Sequence, residues 1–159
     1  MKIILIIGFM GCGKTTYGKK IAERLSCNFV DLDNKIQEYS EMSISSIFEK
    51  FGENYFRTIE HKTFIKVLSD IKETTVIAAG GGIITNVANL KHIQNCLTVF
   101  LDIPWKYFED RLPNLRETRP LIKSKTSKEI YELWLARKNY YNKYADLTIK
   151  ITQNNNYEK

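Results

Sequence analysis

The sequence predicts a doubly wound α/β fold, a three-layer sandwich whose five-stranded parallel sheet has helices on both faces. Short apolar runs alternate with segments of helical periodicity along most of the chain. A glycine-rich, phosphate-binding loop directly follows the first of these runs. A block of helices without a strand, over about residues 34–73, interrupts the alternation once. At 159 residues the chain is expected to form a single domain, 1–159, around one core.

The first apolar run, Ile3–Ile7, predicts a buried strand. The segment from about Lys14 to Leu25 has helical periodicity and predicts a helix whose inward-facing residues are Tyr17, Ile21 and Leu25. Between them, Gly8 to Thr15 spell the phosphate-binding motif G-x-x-x-x-G-K-[ST]. Its glycines let backbone N–H groups approach a phosphate closely, with Lys14 as the mobile cation and the Thr15 hydroxyl as a Mg²⁺ ligand. The chain is therefore predicted to bind a nucleoside triphosphate.

A second strand, Asn28–Val30, leads into Asp31 and Asp33. Because ligands of an open parallel sheet lie beyond the carboxyl ends of its strands, both carboxylates are expected near the phosphate loop. Asp31 could hold Mg²⁺ through water, and Asp33 could take the proton of an acceptor hydroxyl. The alternative for Asp33 is an N-cap of the following helix.

The helical block predicts three helices, at about Asn34–Tyr39, Ile44–Phe51 and Glu53–Ser69, with Gly52 ending the second. Beside a phosphate loop, such an insertion, about residues 33–62, is where a second substrate could bind. The block carries Arg57, one of only six arginines among 24 basic residues. In a lysine-rich chain an arginine indicates a need for its rigid bidentate fork, although Arg57 could also simply pair with Glu60.

A third strand, Thr75–Ala79, ends in three consecutive glycines, Gly80 to Gly82. At this position the backbone is expected to approach a ligand closely, and a flexible turn is the alternative. Three more elements follow: a helix at about Val87–Ile93, a strand at Leu97–Leu101 and a helix at about Trp105–Leu112 that carries Arg111.

Residues 113–127 are basic and lack periodicity, which predicts an irregular loop. A loop of this length in a compact domain is usually functional, so a lid at about residues 113–126 is expected, with a merely solvated loop as the alternative. Arg119 in this segment could close over the phosphates and stabilise the transition state.

The last predicted helix, about Ser127–Tyr144, carries an apolar stripe at Ile130, Leu133, Trp134 and Tyr141. Arg137 falls on the same stripe, and a buried arginine needs an anion, which the pattern leaves open between a structural carboxylate and a ligand. A fifth strand, Ala145–Ile151, and a polar tail, Thr152–Lys159, complete the chain. With Arg57 and Arg137 as a clamp, the residues predict a small-molecule kinase whose acceptor carries hydroxyls and a carboxylate.

Composition narrows the partners further. The net charge of +6 suits anionic substrates, but no dense basic run with interleaved aromatics points to nucleic acid. No apolar stretch approaches the roughly 20 residues of a membrane span, and Cys12, Cys27 and Cys96 form no metal-like pair. A cytoplasmic protein with reduced thiols is expected.

Taken together, the ordered motifs resemble shikimate kinase. The resemblance runs from residue 3 to about 151, and its motifs are Gly8 to Thr16, Asp31-Leu32-Asp33, Gly52 to Arg57 with Glu60, Gly80 to Gly82, Arg119-Pro120-Leu121, and Arg137 with Tyr141 and Ala145. It implies a fold of the P-loop NTPase type and a monomer that uses ATP and Mg²⁺. The implied reaction phosphorylates the 3-hydroxyl of shikimate, on the route to chorismate and aromatic amino acids.

The resemblance also implies roles for particular residues. Lys14, Asp33 and Arg119 would be catalytic, with Asp33 as the base. Thr15 would serve Mg²⁺ directly and Asp31 through water. Shikimate would be held by Asp33, Arg57, Arg137 and the backbone of Gly81. ATP would be contacted by Gly11, Cys12, Gly13, Lys14, Thr15, Thr16, Arg119 and, against the adenine, Arg111.

Three features depart from the family pattern. Ala78 and Ala79 stand where members often have Ser or Thr, so a hydroxyl near the metal water is missing. Cys12 replaces a common Ser or Ala, and the usual C-terminal helix is absent or cut to Thr152–Lys159, which implies a thinner adenine pocket and lower stability. Two alternatives stay open: a related P-loop kinase, such as a gluconate kinase, and a nucleotide-binding module without kinase activity.

Overall fold

A computed structural model describes residues 2–152 as a five-stranded parallel sheet with helices packed against it. The spatial order of the strands is β2-β3-β1-β4-β5. Their bounds are β1 Ile3–Ile7, β2 Asn28–Asp31, β3 Thr75–Ala78, β4 Leu97–Asp102 and β5 Leu147–Lys150. The five predicted strands are all present, with ends that differ from the predicted ones by at most two residues.

Seven α-helices lie in the described part of the chain. Their bounds are α1 Lys14–Arg24, α2 Leu32–Ser40, α3 Ile44–Asp70, α4 Val87–Ile93, α5 Trp105–Glu109, α6 Leu112–Thr118 and α7 Ser127–Tyr144. Two single 3₁₀ turns, Ile83–Thr85 and Pro120–Ile122, follow β3 and α6. Each helix of residues 2–152 is too short or too polar to cross a membrane. Of the predicted polar tail, all but Thr152 lies outside the described residues.

The sheet order brings the candidate functional segments to one edge. β1 is the central strand, and its residues Leu5, Ile6 and Ile7 are fully buried. Ile6 pairs with Ala78 of β3, which in turn pairs with Asp31 of β2. Because all three strands run parallel, the phosphate loop after β1, the triple glycine after β3 and Asp31 meet at the carboxyl edge of the sheet.

Helix α7 forms as its pattern predicts. Thr126 and Glu129 make a reciprocal capping box at its start, in which the Glu129 backbone N–H donates to the Thr126 hydroxyl at 3.2 Å. Ile130, Trp134 and Tyr141 are buried along one face. The predicted inward position of Arg137 is confirmed, since its side chain lies on that buried face with only 5% exposure.

Two predictions of buried faces and loops are wrong. Leu25, expected on the inner stripe of α1, is 53% exposed, because the helix packs through the small residues Gly18 and Ala22 instead. Residues 113–127, expected to be irregular, contain α6 and the 3₁₀ turn Pro120–Ile122, while the preceding helix ends at Glu109. A proline in the first turn of α6 and the buried Leu112 and Ile122 supply the order that the polar composition concealed.

The break predicted at Gly52 is confirmed. Helices before and after it run as one element, α3, but Gly52 itself has φ 79° and ψ 178°, a conformation essentially confined to glycine. A Cβ built at this position has open space within 4 Å. The glycine is therefore required by the backbone turn and not by a close neighbour.

We expect Gly52→Ala to destabilise the protein by about 1–3 kcal/mol, because the methyl group fits but the backbone conformation is strained. The free energy of unfolding from chemical denaturation measures the effect. Glu49→Ala, at an exposed position of the same helix, is the control and should change stability by less than about 0.5 kcal/mol. A Gly52→Ala protein as stable as the control would contradict the assigned strain.

Candidate active site

Two adjoining cavities open at the carboxyl edge of the sheet. The larger, of about 360 Å³, lies against α2 and α3, and the smaller, of about 250 Å³, lies against the phosphate loop. Residues that line both cavities are Met10, Thr15, Asp31, Asp33, Gly81 and Arg119. Ligands bound in the two cavities would therefore lie side by side across this shared wall.

The phosphate loop has the shape that its glycines predict. Gly11 and Gly13 have φ values of 71° and 96°, in the left-handed region that favours glycine. The Lys14 ammonium donates to the carbonyl oxygens of Gly8 and Phe9 at 2.8 and 3.0 Å, which braces the loop from within. Cys12 is buried at 1% exposure, and its Sγ lies 3.9 Å from the Lys14 ammonium nitrogen. The neighbouring Thr16 lines the smaller cavity.

Asp31 and Thr15 form an oxygen pair suited to a magnesium ion. The Thr15 hydroxyl donates to Asp31 Oδ2 at 2.6 Å, and Asp31 Oδ1 accepts from the Asn34 backbone N–H at 3.2 Å. Asp31, and not Asp33, is thus the N-cap of α2, so the alternative considered for Asp33 is wrong. Hydroxyl and carboxylate oxygens with room for water and phosphate oxygens are the ligands that Mg²⁺ takes in such sites. The residues present therefore fit the ion.

Asp33 lies in the first turn of α2, and its carboxylate faces both cavities. Its Oδ2 accepts from Arg119 Nη1 at 3.3 Å, an ion pair that joins α2 to the segment after α6. Both side chains keep partial access to solvent, at 28% for Asp33 and 42% for Arg119. The predicted base and the predicted lid arginine therefore meet in this structure.

Arg57 lies between two carboxylates of its own helix. It donates to Glu60 Oε2 at 2.8 Å and to Glu53 Oε1 at 3.0 Å, so the pairing considered as an alternative does form. Burial lowers the pKa of Arg57, but the carboxylates of Glu60 and Glu53 together more than offset this and raise it. Burial raises the pKa of Glu60, which the Arg57 charge opposes.

The three glycines after β3 leave room for these charges. A Cβ at Gly80 would lie 2.5 Å from Glu60 Oε1, and one at Gly82 would lie 2.3 Å from Arg57 Nη1. A Cβ at Gly81 would lie 3.3 Å from the Met10 backbone nitrogen. The triple glycine is therefore a site of close approach, as predicted, and its neighbours are ion-pairing side chains and the phosphate loop.

Arg137 is a buried cation without a carboxylate partner in the part of the chain that the structure describes. Its Nε has no hydrogen-bond partner, and its side chain forms no ion pair, among the described residues. Its guanidinium lies over the Phe9 ring, with Cζ 5.7 Å from the ring centroid, and it borders the larger cavity. Burial lowers the pKa of Arg137, yet a guanidinium stays protonated at neutral pH. The structural carboxylate considered for Arg137 is not found among the described residues.

Arg111 lies outside this shared wall. Its Nη1 donates to the Gly11 carbonyl at 2.7 Å, and it lines neither of the two cavities. Ala78 and Ala79 line the smaller cavity near Asp31. The hydroxyl that Ala78 and Ala79 lack is therefore missing from the wall of the smaller cavity, beside the phosphate loop.

Glu60 belongs to one of the motifs that the sequence offers, but the sequence assigns it no role beyond a possible helical pair with Arg57. It is fully buried, and its Oε1 has no hydrogen-bond partner among the described residues. Its position could have been found from periodicity, because Phe56, Glu60 and Phe64 succeed one another at intervals of four on the buried face of α3. The apolar walls of the larger cavity, Phe48 and Phe56, also lie on α3.

Comparison with known proteins relates this site to a family. A family model described as shikimate kinase matches residues 10–159. The shikimate kinase of Rippkaea orientalis is 44% identical over 154 residues, which cover 95% of this chain and 79% of the relative. That of Lactococcus lactis is 42% identical over 151 residues, which cover 94% of this chain and 88% of the relative.

Similar solved structures come from the same family. Shikimate kinase from Acinetobacter baumannii, in complex with shikimate, matches with a TM-score of 0.88 and 32% identity over 96% of this chain and 85% of that one. Shikimate kinase from Aquifex aeolicus matches with a TM-score of 0.75 and 34% identity over 93% of this chain and 85% of that one. The predicted fold of the P-loop NTPase type is confirmed.

Replacement of the two carboxylates around Arg57 should have unequal effects on stability. Glu60→Gln removes the buried carboxylate that pairs with Arg57, a side chain that is itself only 17% exposed, and should destabilise the protein by about 3 kcal/mol. Glu53→Gln removes the same charge from a side chain that is 46% exposed and should change stability by less than about 1 kcal/mol. Denaturant unfolding of both variants measures the difference, and equal losses would show that burial does not control this pair.

Proposed function

Because the chain belongs to the shikimate kinase family, and so phosphorylates shikimate with ATP in aromatic amino acid biosynthesis, we propose how its residues divide that work. The larger cavity takes shikimate and the smaller one takes the phosphates of ATP. The residues on the shared wall, Asp33 and Gly81 among them, hold the 3-hydroxyl of shikimate toward the γ-phosphate. This division goes beyond family membership and is open to direct test.

The observation that supports it best is the buried guanidinium of Arg137. A buried charge without a counterion is costly, and the described residues offer Arg137 no carboxylate. Shikimate carries a carboxylate, and the guanidinium faces the larger cavity. A bidentate pair between the two would satisfy the charge and fix the orientation of the ring.

Arg57 would be the second arm of this clamp. Its hold on Glu60 is buried, whereas its hold on Glu53 is half exposed to water. We expect the carboxylate of shikimate to compete with Glu53 and to leave the Glu60 pair intact. Glu60 would then keep the guanidinium in place while the other side of Arg57 turns to the substrate.

Asp33 is placed to accept the proton of the 3-hydroxyl, since its carboxylate borders both cavities. The ion pair with Arg119 occupies one of its oxygens. For Asp33 to act as base, Arg119 moves from this carboxylate to the phosphate oxygens. The same movement would bring a positive charge to the group in transfer.

The phosphate loop serves the donor. Backbone N–H groups of Gly11, Cys12 and Gly13, with the Thr16 side chain nearby, would cradle the β- and γ-phosphates. Lys14 would leave the carbonyls of Gly8 and Phe9 for the more negative phosphate oxygens. Thr15 directly, and Asp31 through water, would hold Mg²⁺, which when bound neutralises charge on the phosphates.

Several further assignments belong to the proposal. The chain would act as one domain with a substrate-binding insertion at about 33–62, and α6 with the 3₁₀ turn after it, about 113–126, would be the lid. Arg111 would exchange the Gly11 carbonyl for a position against the adenine. The chain would act as a monomer, and the three free cysteines suit the cytoplasm.

Shikimate-dependent release of ADP tests the activity. The purified protein with ATP and Mg²⁺ should release ADP when shikimate is added, with shikimate 3-phosphate as product, and should not do so with gluconate. Turnover with gluconate alone would assign the site to another hydroxy acid. ATP binding without turnover of either acceptor would indicate a nucleotide-binding module instead.

Asp33→Asn should lower kcat by about 10²–10⁴-fold, because the amide cannot take the hydroxyl proton. The apparent affinity for ATP should stay near that of the unchanged protein, since Asp33 lies beyond the loop that holds the phosphates. Steady-state kinetics and ATP titration measure both, with Asp70→Asn on the exposed end of α3 as control. A kcat equal to that of the control would remove Asp33 from the role of base.

Arg137→Lys should raise the KM for shikimate by about 10–100-fold, because lysine keeps the charge but loses the bidentate fork. The KM for ATP should change little. Arg24→Lys makes the same chemical change at an exposed position of α1 and should leave both values unaltered. If Arg137→Lys left the KM for shikimate unchanged, the guanidinium would be structural and the acceptor would be held elsewhere.

A further inference from the structure

Tyr141 is a fully buried phenol whose hydroxyl donates to the carbonyl oxygen of Gly81. Its ring packs on Phe100 of β4 at a centroid distance of 5.0 Å. Burial raises its pKa well above that of an exposed phenol, so the hydroxyl stays a proton donor across the physiological range. The contact joins two residues that are 60 positions apart in the chain.

The Gly81 carbonyl differs from its two neighbours in how it is held. The Gly80 carbonyl accepts from the Ile83 backbone N–H at 3.2 Å, and the Gly82 carbonyl accepts from the Thr85 N–H at 3.0 Å. Both bonds belong to the 3₁₀ turn that follows. Among the described residues, the hydrogen bond to the Gly81 carbonyl comes from Tyr141. The middle glycine is therefore fixed by α7 and not by its own turn.

Gly81 is also where the two halves of the site touch. A Cβ built on it would lie 3.3 Å from the Met10 nitrogen, 3.4 Å from the Gly8 carbonyl and 3.6 Å from Arg137 Nη1. The residue lines both cavities. Glycine resists backbone rotation less than any other residue, so a contact that holds its carbonyl determines where its peptide groups point.

We propose that Tyr141 is a positioning residue for the acceptor, which acts by holding the Gly81 backbone in the orientation that shikimate requires. Arg137 and Tyr141 lie four residues apart on one face of α7. One face of α7 would thus supply two groups. Arg137 would pair with the carboxylate of the acceptor, and Tyr141 would hold the Gly81 backbone that the acceptor contacts. This inference rests on the proposed placement of shikimate in the larger cavity.

Tyr141→Phe tests it, because phenylalanine keeps the ring on Phe100 and removes only the hydroxyl. The KM for shikimate should rise about 10-fold, since Gly81 loses its hold, while the KM for ATP stays within about 2-fold. Tyr140→Phe is the matched control: it removes the same hydroxyl from the preceding residue, which is 47% exposed, and should change neither value.

The split between the two KM values separates positioning from a general loss of structure. An unchanged KM for shikimate in Tyr141→Phe would overturn the proposal, and so would an equal rise in both KM values. A fall in kcat with no change in the KM for shikimate would also overturn it, because the contact with Gly81 concerns binding. Failure of the placement of shikimate itself would appear differently, as an unchanged KM in Arg137→Lys.

The double variant Arg137→Lys, Tyr141→Phe separates the two routes by which Tyr141 could act. If Tyr141 acts through Gly81, its effect on the KM for shikimate should persist in the Arg137→Lys background, and the two fold-changes should multiply. If it acted by orienting Arg137, the double variant would have the KM of Arg137→Lys alone. That result would overturn the assignment to Gly81.

Discussion

Three charged side chains can meet at the carboxyl end of β3 because three glycines that follow the strand, Gly80 to Gly82, have no side chains of their own. Glu60 and Arg57 of α3 occupy the space of two missing Cβ atoms, and Arg137 of α7 lies beside the third. A methyl group at Gly80 or Gly82 would overlap these charges at less than 3 Å. The sheet thus brings α3 and α7, which bear these charged side chains, close to the phosphate loop.

The charges in this space are not equally compensated. Arg57 has a buried carboxylate, Glu60, as a permanent partner, whereas Arg137 has an aromatic face but no carboxylate among the described residues. An aromatic ring stabilises a cation by only about 0.5–2 kcal/mol, far less than a buried charge requires. The imbalance leaves a positive site at the end of the larger cavity. It is this imbalance, and not the presence of arginines as such, that would make the cavity selective for an anionic acceptor.

Much of the sheet could be predicted because its signals are local. Each strand is a short apolar run, and the phosphate loop has a recognisable sequence motif. The capped, amphipathic α7 placed Arg137 correctly for the same reason. Residues 113–127 were predicted wrongly because α6 spans only Leu112–Thr118, and a helix of that length has too few apolar positions to show a period. Glu60 and the bond from Tyr141 to Gly81 depend on contacts between distant segments. No local pattern encodes which carbonyl a buried phenol will reach.

The ion pair between Arg119 and Asp33 lies on the wall that the two cavities share, and it links the two cavities. A carboxylate oxygen that accepts a charge-assisted hydrogen bond from a guanidinium is not free to take the proton of a hydroxyl. The triphosphate is the stronger attractor for Arg119, since its charge is larger and its oxygens suit the same fork. Arrival of the donor would therefore withdraw the arginine from Asp33 and free its Oδ2 for the acceptor hydroxyl. With Asp33 as base, the proton acceptor would become available when the phosphoryl group is in place, so that the two requirements of transfer would be met together.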